Sequence, residues 1–415
     1  MKNITIPSDV KRIIETIESA NYEAYIVGGC VRDILNNTPP KDWDIATSAT
    51  PTQIKALFSM GTLTRTVDTG IKHGTVTVLI EGRGYEVTTY RVDGEYNDSR
   101  RPDTVIFTRS IEEDLSRRDF TMNAIAYNPK RGFVDPFDGI EDISNKLIRC
   151  VGLPCHRFSE DALRMLRAIR FAGVLGFKVH EDILVAISRH KATINNISVE
   201  RIQQELRKFL MGSYPNAIEM LESTGLMQYI LPNCNYQGEY VILWLKECPK
   251  NEPLRWVLFL MGIMPTASNC SVSSEKLLKH LRFDNKTIQE VSLYMQFMHI
   301  PIATTRYEIK KTFLQYMPQE CLENLIILKS IVSTSQKSQL INFKREADDI
   351  FQKGECFTIR DLAISGNDLL KMGIPQGKAI GETLEYLLDK VMQDPTINNS
   401  EILTLMLSDI TQGIK

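Results

Sequence analysis

Apolar positions follow two different spacings along this chain of 415 residues. Up to about residue 140, short apolar runs such as Tyr25-Ile-Val alternate with segments of helical spacing, and residues 73–80 and 85–90 alternate polar with apolar side chains as the two strands of a hairpin do. From Ser159 onward, apolar residues recur with a helical period. The pattern predicts an α+β fold, with a sheet in the N-terminal part and helices in the rest.

A pair of glycines separates the first predicted strand from a helix. Gly28-Gly29 follows the strand, and Val31 to Leu35 resume with helical spacing. Glycines at this point let backbone N–H groups approach an anion, and a helix N-terminus adds a favourable dipole. Arg32 in the first turn could hold a phosphate with its planar fork of donors. A glycine pair alone most often marks only a turn.

Two carboxylates follow shortly afterwards. Asp42 and Asp44 are two residues apart, and on a strand such residues point to the same face, so both carboxylates would lie close together. Mg²⁺ binds through one or two carboxylates together with substrate phosphates, which makes these aspartates candidate metal ligands. An isolated pair of this kind is more often two solvated surface carboxylates.

A second polar group lies at residues 117–123. Arg117-Arg118-Asp119 offers cationic donors for phosphate, and Asp119 together with Asn123 could hydrogen-bond ribose hydroxyls. By itself, Arg-Arg-Asp most often belongs to a salt-bridged helix start.

The helix predicted from Ser159 carries one acidic residue and three arginines at intervals of three. Asp161 and Arg164 would be neighbours on one face, whereas Arg167 and Arg170 drift by about 60° per step. A carboxylate beside a guanidinium presents acceptors and donors that can imitate a Watson–Crick base edge. In an arbitrary helix the same residues would form an ordinary ion pair with exposed arginines.

Composition narrows the classes of protein without selecting one. The formal net charge of −2 shows no overall basic field of the kind that attracts nucleic acid, although a local basic face would suffice. The eight cysteines show no C-x-x-C spacing, the histidines show no metal-ligand spacing, and no apolar stretch is long enough for a membrane span. Because the N-terminus also lacks an apolar leader, we expect a cytoplasmic protein with no membrane partner.

The motifs taken together resemble one family. The similar segments are Gly28-Gly-Cys-Val-Arg-Asp33, Asp42-Trp-Asp-Ile-Ala-Thr47, Arg117-Arg-Asp-Phe-Thr-Met-Asn-Ala124 and Glu160-Asp-Ala-Leu-Arg-Met-Leu-Arg-Ala-Ile-Arg-Phe171. In this order they resemble class II tRNA nucleotidyltransferases, the family of CCA-adding enzymes and bacterial poly(A) polymerases. The resemblance implies an N-terminal nucleotidyltransferase head with a mixed β-sheet (1–140), a helical neck with a nucleotide-selecting helix (141–205), a helical body (206–300) and a helical tRNA-binding tail (301–415).

The resemblance also implies a reaction and a set of functional residues. The reaction would be template-independent addition of CCA to the 3′ end of tRNA, with CTP and ATP as substrates, Mg²⁺ as cofactor, pyrophosphate as product and no protein partner indicated. Asp42 and Asp44 would be catalytic and hold the metal, and Asp161 and Arg164 would choose the base. The nucleotide-binding residues implied are Gly28, Gly29, Arg32, Arg118, Asp119, Asn123, Asp161, Arg164, Arg167 and Arg170.

Three further features take their meaning from the resemblance. Glu86, which alone would more often be a surface charge on a strand, would be a third catalytic carboxylate beside the aspartates. The polar segment 91–109 is predicted to be a mobile loop, and it would take part in the switch from C to A addition. Lys371 and Lys378 would make sequence-independent contacts with the tRNA elbow, although each could equally belong to a capped helix end.

Several alternatives to CCA addition remain open at this point. They are an enzyme that adds only A or only CC, a bacterial poly(A) polymerase, a catalytically dead RNA-binding scaffold and a small-molecule nucleotidyltransferase. Poly(A) polymerases of this family tend to have basic extensions and a positive charge balance, which argues against that activity here. Intact Asp42, Asp44 and Asp161 argue against a scaffold, and the long helical region argues against a small-molecule enzyme.

Overall fold

The structure is a computed structural model, and it describes residues 4–59, 64–94, 105–232, 234, 236–264 and 270–412. The strands are β1 (Ala24–Val27), β2 (Asp44–Thr47), β3 (Thr64–Gly70), β4 (Thr75–Ile80), β5 (Arg83–Thr89), β6 (Arg91–Asp93), β7 (Val105–Phe107), β8 (Ala126–Asn128), β9 (Gly132–Val134), β10 (Leu147–Ile148) and β11 (Lys178–Val179). The first helices are α1 (Ser8–Ser19), α2 (Gly29–Leu35), α3 (Pro51–Ser59), α4 (Ile111–Ser116), α5 (Gly139–Ser144), α6 (Pro154–Glu160), α7 (Leu163–Leu175), α8 (Glu181–His190), α9 (Val199–Leu210), α10 (Ile218–Ser223) and α11 (Met227–Ile230).

The remaining helices are α12 (Gly238–Glu247), α13 (Glu252–Ile263), α14 (Cys270–His280), α15 (Asn285–Met298), α16 (Arg306–Ile309), α17 (Gln319–Val332), α18 (Lys337–Gln352), α19 (Gly366–Lys371), α20 (Lys378–Gln393) and α21 (Ser400–Gln412). The chain divides into two compact units. The first unit comprises residues 1–242, 262–265 and 276–284, and the second comprises residues 243–261, 266–275 and 285–415. Within the described residues, no helix has both the length and the apolar character that crossing a membrane would need.

A seven-stranded mixed sheet organises the first unit, with the strand order β3-β4-β5-β2-β1-β8-β9. β2 and β5 are parallel neighbours, and the other pairs in this sheet are antiparallel. The helical spacing near the N-terminus forms α1, which buries Val10, Ile13, Ile14 and Ile17. The predicted fold class is therefore confirmed, because a mixed sheet in the N-terminal part is followed by helices.

The turn between β1 and α2 requires glycine at position 28. Gly28 has φ +71°, a left-handed conformation that costs a residue with a side chain free energy. A Cβ atom there would also lie 2.9 Å from Nη1 of Arg118. The chain therefore passes from strand to helix beside a guanidinium, and only glycine allows so close an approach.

The predicted hairpin is present, whereas the predicted loop after it is partly wrong. β4 and β5 pair antiparallel from Thr75↔Thr88 to Ile80↔Arg83, with the turn at Glu81-Gly82. The polar segment 91–109 contains β6 and β7, which pair antiparallel, so its described ends are strands rather than loop. The β-branched and aromatic residues Val92, Ile106 and Phe107 favour this short ladder in spite of the polar surroundings. Residues 95–104 lie outside the described residues.

Candidate active site

Two acidic side chains lie side by side on adjacent strands of the sheet. Asp44 is the first residue of β2 and is the register partner of Glu86 in β5, so both side chains extend from the same face. Asp42 precedes β2, and the prediction that both aspartates belong to one strand is therefore wrong. Nevertheless, Asp42, Asp44 and Glu86 line one cavity of about 550 Å³.

Negative charge is concentrated around Asp44. This side chain has exposed surface in the cavity, yet desolvation by the surrounding protein raises its pKa, and the charges of Glu86 and Asp42 raise the pKa further while Arg118 lowers it. Keeping this carboxylate ionised therefore costs free energy, which a bound cation would offset.

The donor set fits Mg²⁺. Carboxylate oxygens are ligands that Mg²⁺ prefers, and Mg²⁺ commonly takes only one or two carboxylates from the protein and the rest from substrate phosphates and water. In the part of the chain that the structure describes, no group of three or more His, Cys, Asp and Glu side chains could hold a metal ion.

Arg118 is held at the rim of the glycine turn by a buried carboxylate. Its Nη2 donates to Oδ2 of Asp114 at 3.2 Å, and Arg117 donates to Oδ1 of the same residue at 2.7 Å. Burial alone would raise the pKa of Asp114, but the charges of Arg118 and Arg117 outweigh burial and lower it. Nε of Arg118 is buried and has no hydrogen-bond partner among the described residues. Arg118 is thus fixed in position with donor capacity left over.

Asp119 and Asn123 connect the two ends of a buried polar network. Asp119 Oδ1 accepts from the Asn123 side chain at 3.0 Å, and its Oδ2 accepts from Nε of Arg167 at 2.8 Å. Asn123 Oδ1 in turn accepts from Nη1 of Arg32 at 2.7 Å, and Arg32 also donates to Asp33. Burial would raise the pKa of Asp119, but Arg167 and Asn123 lower it well below its ordinary range. The network orients Arg32 and Arg167 toward the same part of the site.

The helix predicted from Ser159 is interrupted at Asp161. α6 ends at Glu160, Asp161 has the extended dihedrals φ −141° and ψ 104°, and α7 begins at Leu163. The Asp161 carboxylate accepts a hydrogen bond from the Leu163 backbone N–H at 3.1 Å. This local side-chain bond competes with helical hydrogen bonding, which explains how a segment with continuous helical spacing can contain a break. The prediction of one helix carrying Asp161 and Arg164 is wrong.

The side chains of Asp161 and Arg164 are each hydrogen-bonded to other residues of the site. Arg164 is buried and donates to Oε2 of Glu160 at 2.6 Å and to the Arg117 carbonyl at 2.9 Å. Asp161 accepts from Nη2 of Arg201 in α9 at 2.7 Å. A hydrogen-bond acceptor and a hydrogen-bond donor are therefore both held in place by neighbouring groups.

Arg170 and Phe171 of α7 also belong to this group of side chains. Arg170 Nε donates to Oε2 of Glu205 in α9 at 2.8 Å, and its guanidinium lies 3.5 Å from the centroid of the Phe171 ring. Glu205, which is buried, also lies 3.7 Å from Nη1 of Arg167. One buried carboxylate thus holds two of the predicted nucleotide-binding arginines.

The arginines described above line a single cavity of about 650 Å³ in the first unit, together with Asp119, Asn123, Asp161 and Phe171. Nine cationic and four acidic side chains line it. Every predicted nucleotide-binding residue is among the lining residues, together with Asp44 and Glu86 but without Asp42. A cavity with this excess of positive charge attracts polyanions, although the whole chain carries a slight negative charge.

Three family models match the chain. Residues 24–149 match the model described as Poly A polymerase head domain, residues 176–237 the one described as Probable RNA and SrmB-binding site of polymerase A, and residues 249–407 the one described as tRNA nucleotidyltransferase domain 2. The curated CCA-adding enzyme of Limosilactobacillus fermentum is 37% identical over 97% of this chain and 98% of the relative, and that of Enterococcus faecalis is 38% identical over 97% of each. The chain belongs to the family of CCA-adding enzymes.

Solved structures agree with this family assignment. The crystal structure of the Bacillus stearothermophilus CCA-adding enzyme in complex with CTP is 31% identical, covers 99% of each chain and has a TM-score of 0.79. The Thermotoga maritima CCA-adding enzyme complexed with tRNA shares only 21% identity, with a TM-score of 0.65 over 98% of this chain and 96% of that chain, and it supports the fold alone. As a member of the family, the protein is a tRNA nucleotidyltransferase.

The cavity of this nucleotidyltransferase also depends on residues that were not among the predicted site residues. Arg201 and Lys208 on α9 line the cavity, and Asp114 and Glu205 hold its arginines without lining it. A charged residue on an otherwise apolar helix face is the signal that could have found Glu205. Its partner Arg170 is 35 residues away, and no local spacing predicts such a pair.

The two lysines predicted to contact tRNA lie in the second unit, in a different setting. Lys371 at the end of α19 pairs with Asp368 at 3.1 Å, and Lys378 at the start of α20 pairs with Glu382 at 3.1 Å. Both lysine side chains are almost fully exposed. They are available to a large anion, and each pairs with a carboxylate of its own helix.

Proposed function

We propose that this protein adds CCA to the 3′ end of tRNA from CTP and ATP, without a nucleic-acid template and with release of pyrophosphate. The observation that carries the proposal is the larger cavity. It is lined both by the acidic pair Asp44 and Glu86, which suits nucleotidyl transfer, and by Asp161 and Arg164, which suit the reading of a base. The names of the full-length relatives, and a family structure solved with CTP, support the same activity.

In the proposed complex the triphosphate lies against the glycine turn. Gly28 and Gly29 leave the backbone open, and Arg32 and Arg118 are each oriented by a partner in the network described above. A preorganised guanidinium stabilises developing negative charge without having to reorganise during the reaction. Asp119, Asn123, Arg167 and Arg170 would act mainly by holding these groups and α7 in position.

Asp42 and Asp44 would hold Mg²⁺, with Glu86 as the supporting carboxylate beside them. When bound, Mg²⁺ would make the attacking 3′-hydroxyl more acidic and would neutralise charge on the leaving pyrophosphate. The raised pKa of Asp44 supports this assignment, because a bound cation would stabilise a carboxylate whose ionised form is disfavoured by desolvation and by the charges of Glu86 and Asp42.

Asp161 and Arg164 would choose the base. Cytosine and adenine both present an amino group where uracil and guanine present a carbonyl oxygen, and an ionised carboxylate accepts a hydrogen bond only from the amino group. The ion pair with Arg201 fixes the position of the Asp161 carboxylate, whose oxygens can then accept a hydrogen bond from the amino group of the base.

The remaining features of the proposal concern regions outside the cavity. The head, neck, body and tail boundaries at 140, 205 and 300 remain predictions, as do a cytoplasmic location and a switching role for 91–109, of which residues 95–104 lie outside the described residues. Lys371 and Lys378 would contact the sugar-phosphate backbone of tRNA, where exposed cations suffice.

The test uses three tRNA transcripts that end at the discriminator base, at C and at CC. Each is incubated with the protein, Mg²⁺ and CTP, ATP or both, and the products are separated at single-nucleotide resolution. We expect all three transcripts to reach CCA when both nucleotides are present. Extension of the CC-ended transcript alone would indicate an A-adding enzyme, a stop at CC a CC-adding enzyme, and long A tails a poly(A) polymerase.

A fourth outcome would overturn the enzymatic proposal. If the wild-type protein binds tRNA but incorporates nothing under any of these conditions, it is a scaffold. Loss of incorporation in Asp44→Asn with retained tRNA binding would show instead that the acidic pair performs the reaction.

A further inference from the structure

A buried aspartate outside the larger cavity holds several of the residues that line it. Asp114 is 1% exposed and lies on the buried face of α4 together with Ile111 and Leu115, which pack into the apolar core of the first unit. A carboxylate in such a position is costly unless charged partners and hydrogen bonds replace the lost water. Asp114 is not among the residues that line the cavity, so its charge acts there through other residues.

Three arginines that line the cavity donate hydrogen bonds to this one carboxylate. Arg117 donates to Oδ1 through Nε at 3.0 Å and through Nη2 at 2.7 Å, and Arg118 donates to Oδ2 through Nη2 at 3.2 Å. The backbone N–H of Arg91, the first residue of β6, also donates to Oδ1 at 3.3 Å. Asp114 is therefore bonded to three of the nine cationic residues that line the cavity.

Two of these bonds lead to different ends of the proposed nucleotide site. Arg118 lies beside the glycine turn, where a Cβ atom at Gly28 would be 2.9 Å from Nη1 of the arginine. Arg117 follows α4 directly, and its backbone carbonyl accepts a hydrogen bond from Nη2 of Arg164 at 2.9 Å. Asp114 thus connects an arginine proposed to bind the triphosphate with an arginine proposed to read the base.

We propose that Asp114 is a positioning residue for nucleotide addition, which fixes Arg118 and Arg164 relative to each other so that the triphosphate and the base are bound together. The inference rests on the proposed function, from which it takes the roles of these two arginines. Asp114 itself does not touch the nucleotide, because it lies outside the cavity and its oxygens accept from arginine and backbone donors. Misplacing reacting groups by about 1 Å can cost about a hundredfold in rate, so a residue that fixes this geometry affects the reaction without taking part in it.

The position requires a carboxylate rather than an amide of the same size. Both oxygens of an ionised carboxylate accept hydrogen bonds, whereas asparagine has one acceptor oxygen and an NH₂ group that donates. In Asp114→Asn the NH₂ group would face a donor of either Arg117 or Arg118, and that arginine would lose its bond. The substitution therefore keeps the volume of the side chain and removes the fixed relation between the two arginines.

Asp142 provides a matched control in the same unit. It is fully buried in α5 and accepts from Nε of Arg149 at 3.0 Å and from Oγ1 of Thr121 at 2.5 Å. None of these three residues lines the larger cavity. Asp142→Asn therefore removes a buried carboxylate that is bonded to an arginine, as Asp114→Asn does, and leaves the arginines of the cavity with their partners.

The test measures nucleotide binding and base choice in the same full-length variants. For the wild type, Asp114→Asn and Asp142→Asn, we determine KM for CTP and the ratio of kcat/KM for CTP to that for UTP, on a tRNA ending at the discriminator base. Asp114→Asn should raise KM for CTP about tenfold and reduce the ratio about threefold, while KM for tRNA stays within about twofold of the wild-type value. Asp142→Asn should lower the melting temperature as Asp114→Asn does and change neither KM for CTP nor the ratio.

A double variant tests whether Asp114 acts through the arginines that it holds. Arg118→Met alone should raise KM for CTP and leave the ratio near the wild-type value, because the triphosphate is common to CTP and UTP. Adding Asp114→Asn to Arg118→Met should raise KM for CTP little further, since the arginine through which it acts is already gone. The ratio should still fall, because the connection from Asp114 to Arg164 runs through Arg117 and not through Arg118.

An unchanged KM for CTP or an unchanged ratio in Asp114→Asn would overturn the inference, and so would equal changes in Asp142→Asn, which would trace them to lost stability. If Asp114→Asn does not fold, Arg117→Met, which leaves Asp114 paired with Arg118, should still reduce the ratio. An unchanged ratio in Arg117→Met would then count against the inference in the same way. A wild type that incorporates no nucleotide would instead overturn the proposed function itself.

Discussion

The guanidinium of Arg167 in the first unit lies between Asp119 and Glu205, whereas Lys371 and Lys378 in the second unit are 78% and 89% exposed and each meets one carboxylate of its own helix. All three side chains are cationic, but the protein holds Arg167 in a different way from the two lysines. The cavity arginines cannot leave their positions without stranding a buried carboxylate, while the lysines can exchange their partners for water or phosphate. Catalysis requires charges that are held in fixed positions, whereas electrostatic attraction of a polyanion requires only exposed charges.

The largest effect is expected when the charge of Asp44 is removed. Asp44→Asn should lower kcat for nucleotide addition by at least about a thousandfold, since the substitution removes a proposed metal ligand and a catalytic group. It should not lower the melting temperature, because desolvation and the charges of Glu86 and Asp42 raise the pKa of Asp44 and make its ionised form unfavourable. Single-turnover incorporation and thermal unfolding measure the two quantities.

Asp68→Asn is the matched control for that substitution. Asp68 forms an ion pair with Lys55 at 2.9 Å and is half-exposed, so its loss should leave both kcat and melting temperature unchanged. A catalytically normal Asp44→Asn would contradict the account.

The second prediction concerns the network that holds the arginines. Arg167→Met leaves Asp119 buried with its main charge partner removed, which should destabilise the first unit by about 3 kcal/mol and raise KM for CTP about tenfold. Asp119 has a pKa below its ordinary value in the folded protein, so the stability it contributes is present above the unfolded pKa and is lost as the pH falls through the folded pKa. In Arg167→Met that folded pKa rises, and acid unfolding should begin at a higher pH.

A double substitution measures the interaction between Asp119 and Arg167 separately from their interactions with other residues. Asp119→Asn combined with Arg167→Met should recover part of the stability lost in Arg167→Met, because it no longer leaves an unpaired buried charge. Denaturant unfolding at neutral pH and at pH 4 gives both the coupling and its pH dependence. Strict additivity of the two substitutions would contradict the network.

The smallest effect is expected in the second unit. Lys371→Ala combined with Lys378→Ala should raise KM for tRNA about threefold at physiological salt, reduce its dependence on salt concentration and leave kcat unchanged. Lys353→Ala, which removes a similarly exposed lysine paired with Asp349, is the control and should change neither quantity. A large loss of kcat in the double variant would contradict the comparison, because it would mean that these lysines are held as firmly as the cavity arginines.

Local patterns in the sequence predicted the parts of the molecule that local physics determines. The glycine turn at position 28, the β4–β5 hairpin and α1 follow from glycine conformation and from periods of two and of about 3.6 residues. The family resemblance supplied the set of cavity residues, which the structure brings together with the exception of Asp42.

What could not be predicted depends on contacts between distant residues. Asp161 pairs with Arg201, 40 residues away, and Asp119 with Arg167, 48 residues away. The helix break at Asp161 was missed for a related reason, since the apolar spacing continues through it while a single side-chain hydrogen bond to Leu163 ends one helix and starts the next. Apolar periodicity indicates the buried face of a segment but gives no information about such hydrogen bonds.

We propose that fixed side chains of the cavity choose the base, and the nucleotide selectivity of Asp161→Ala tests this proposal. The ratio of kcat/KM for CTP to that for UTP is determined on a tRNA ending at the discriminator base, for the wild type and for Asp161→Ala. We predict that the substitution reduces the ratio at least about tenfold while kcat for CTP falls less, because the lost acceptor contributes to selection rather than to transfer. An unchanged ratio in Asp161→Ala would contradict the account.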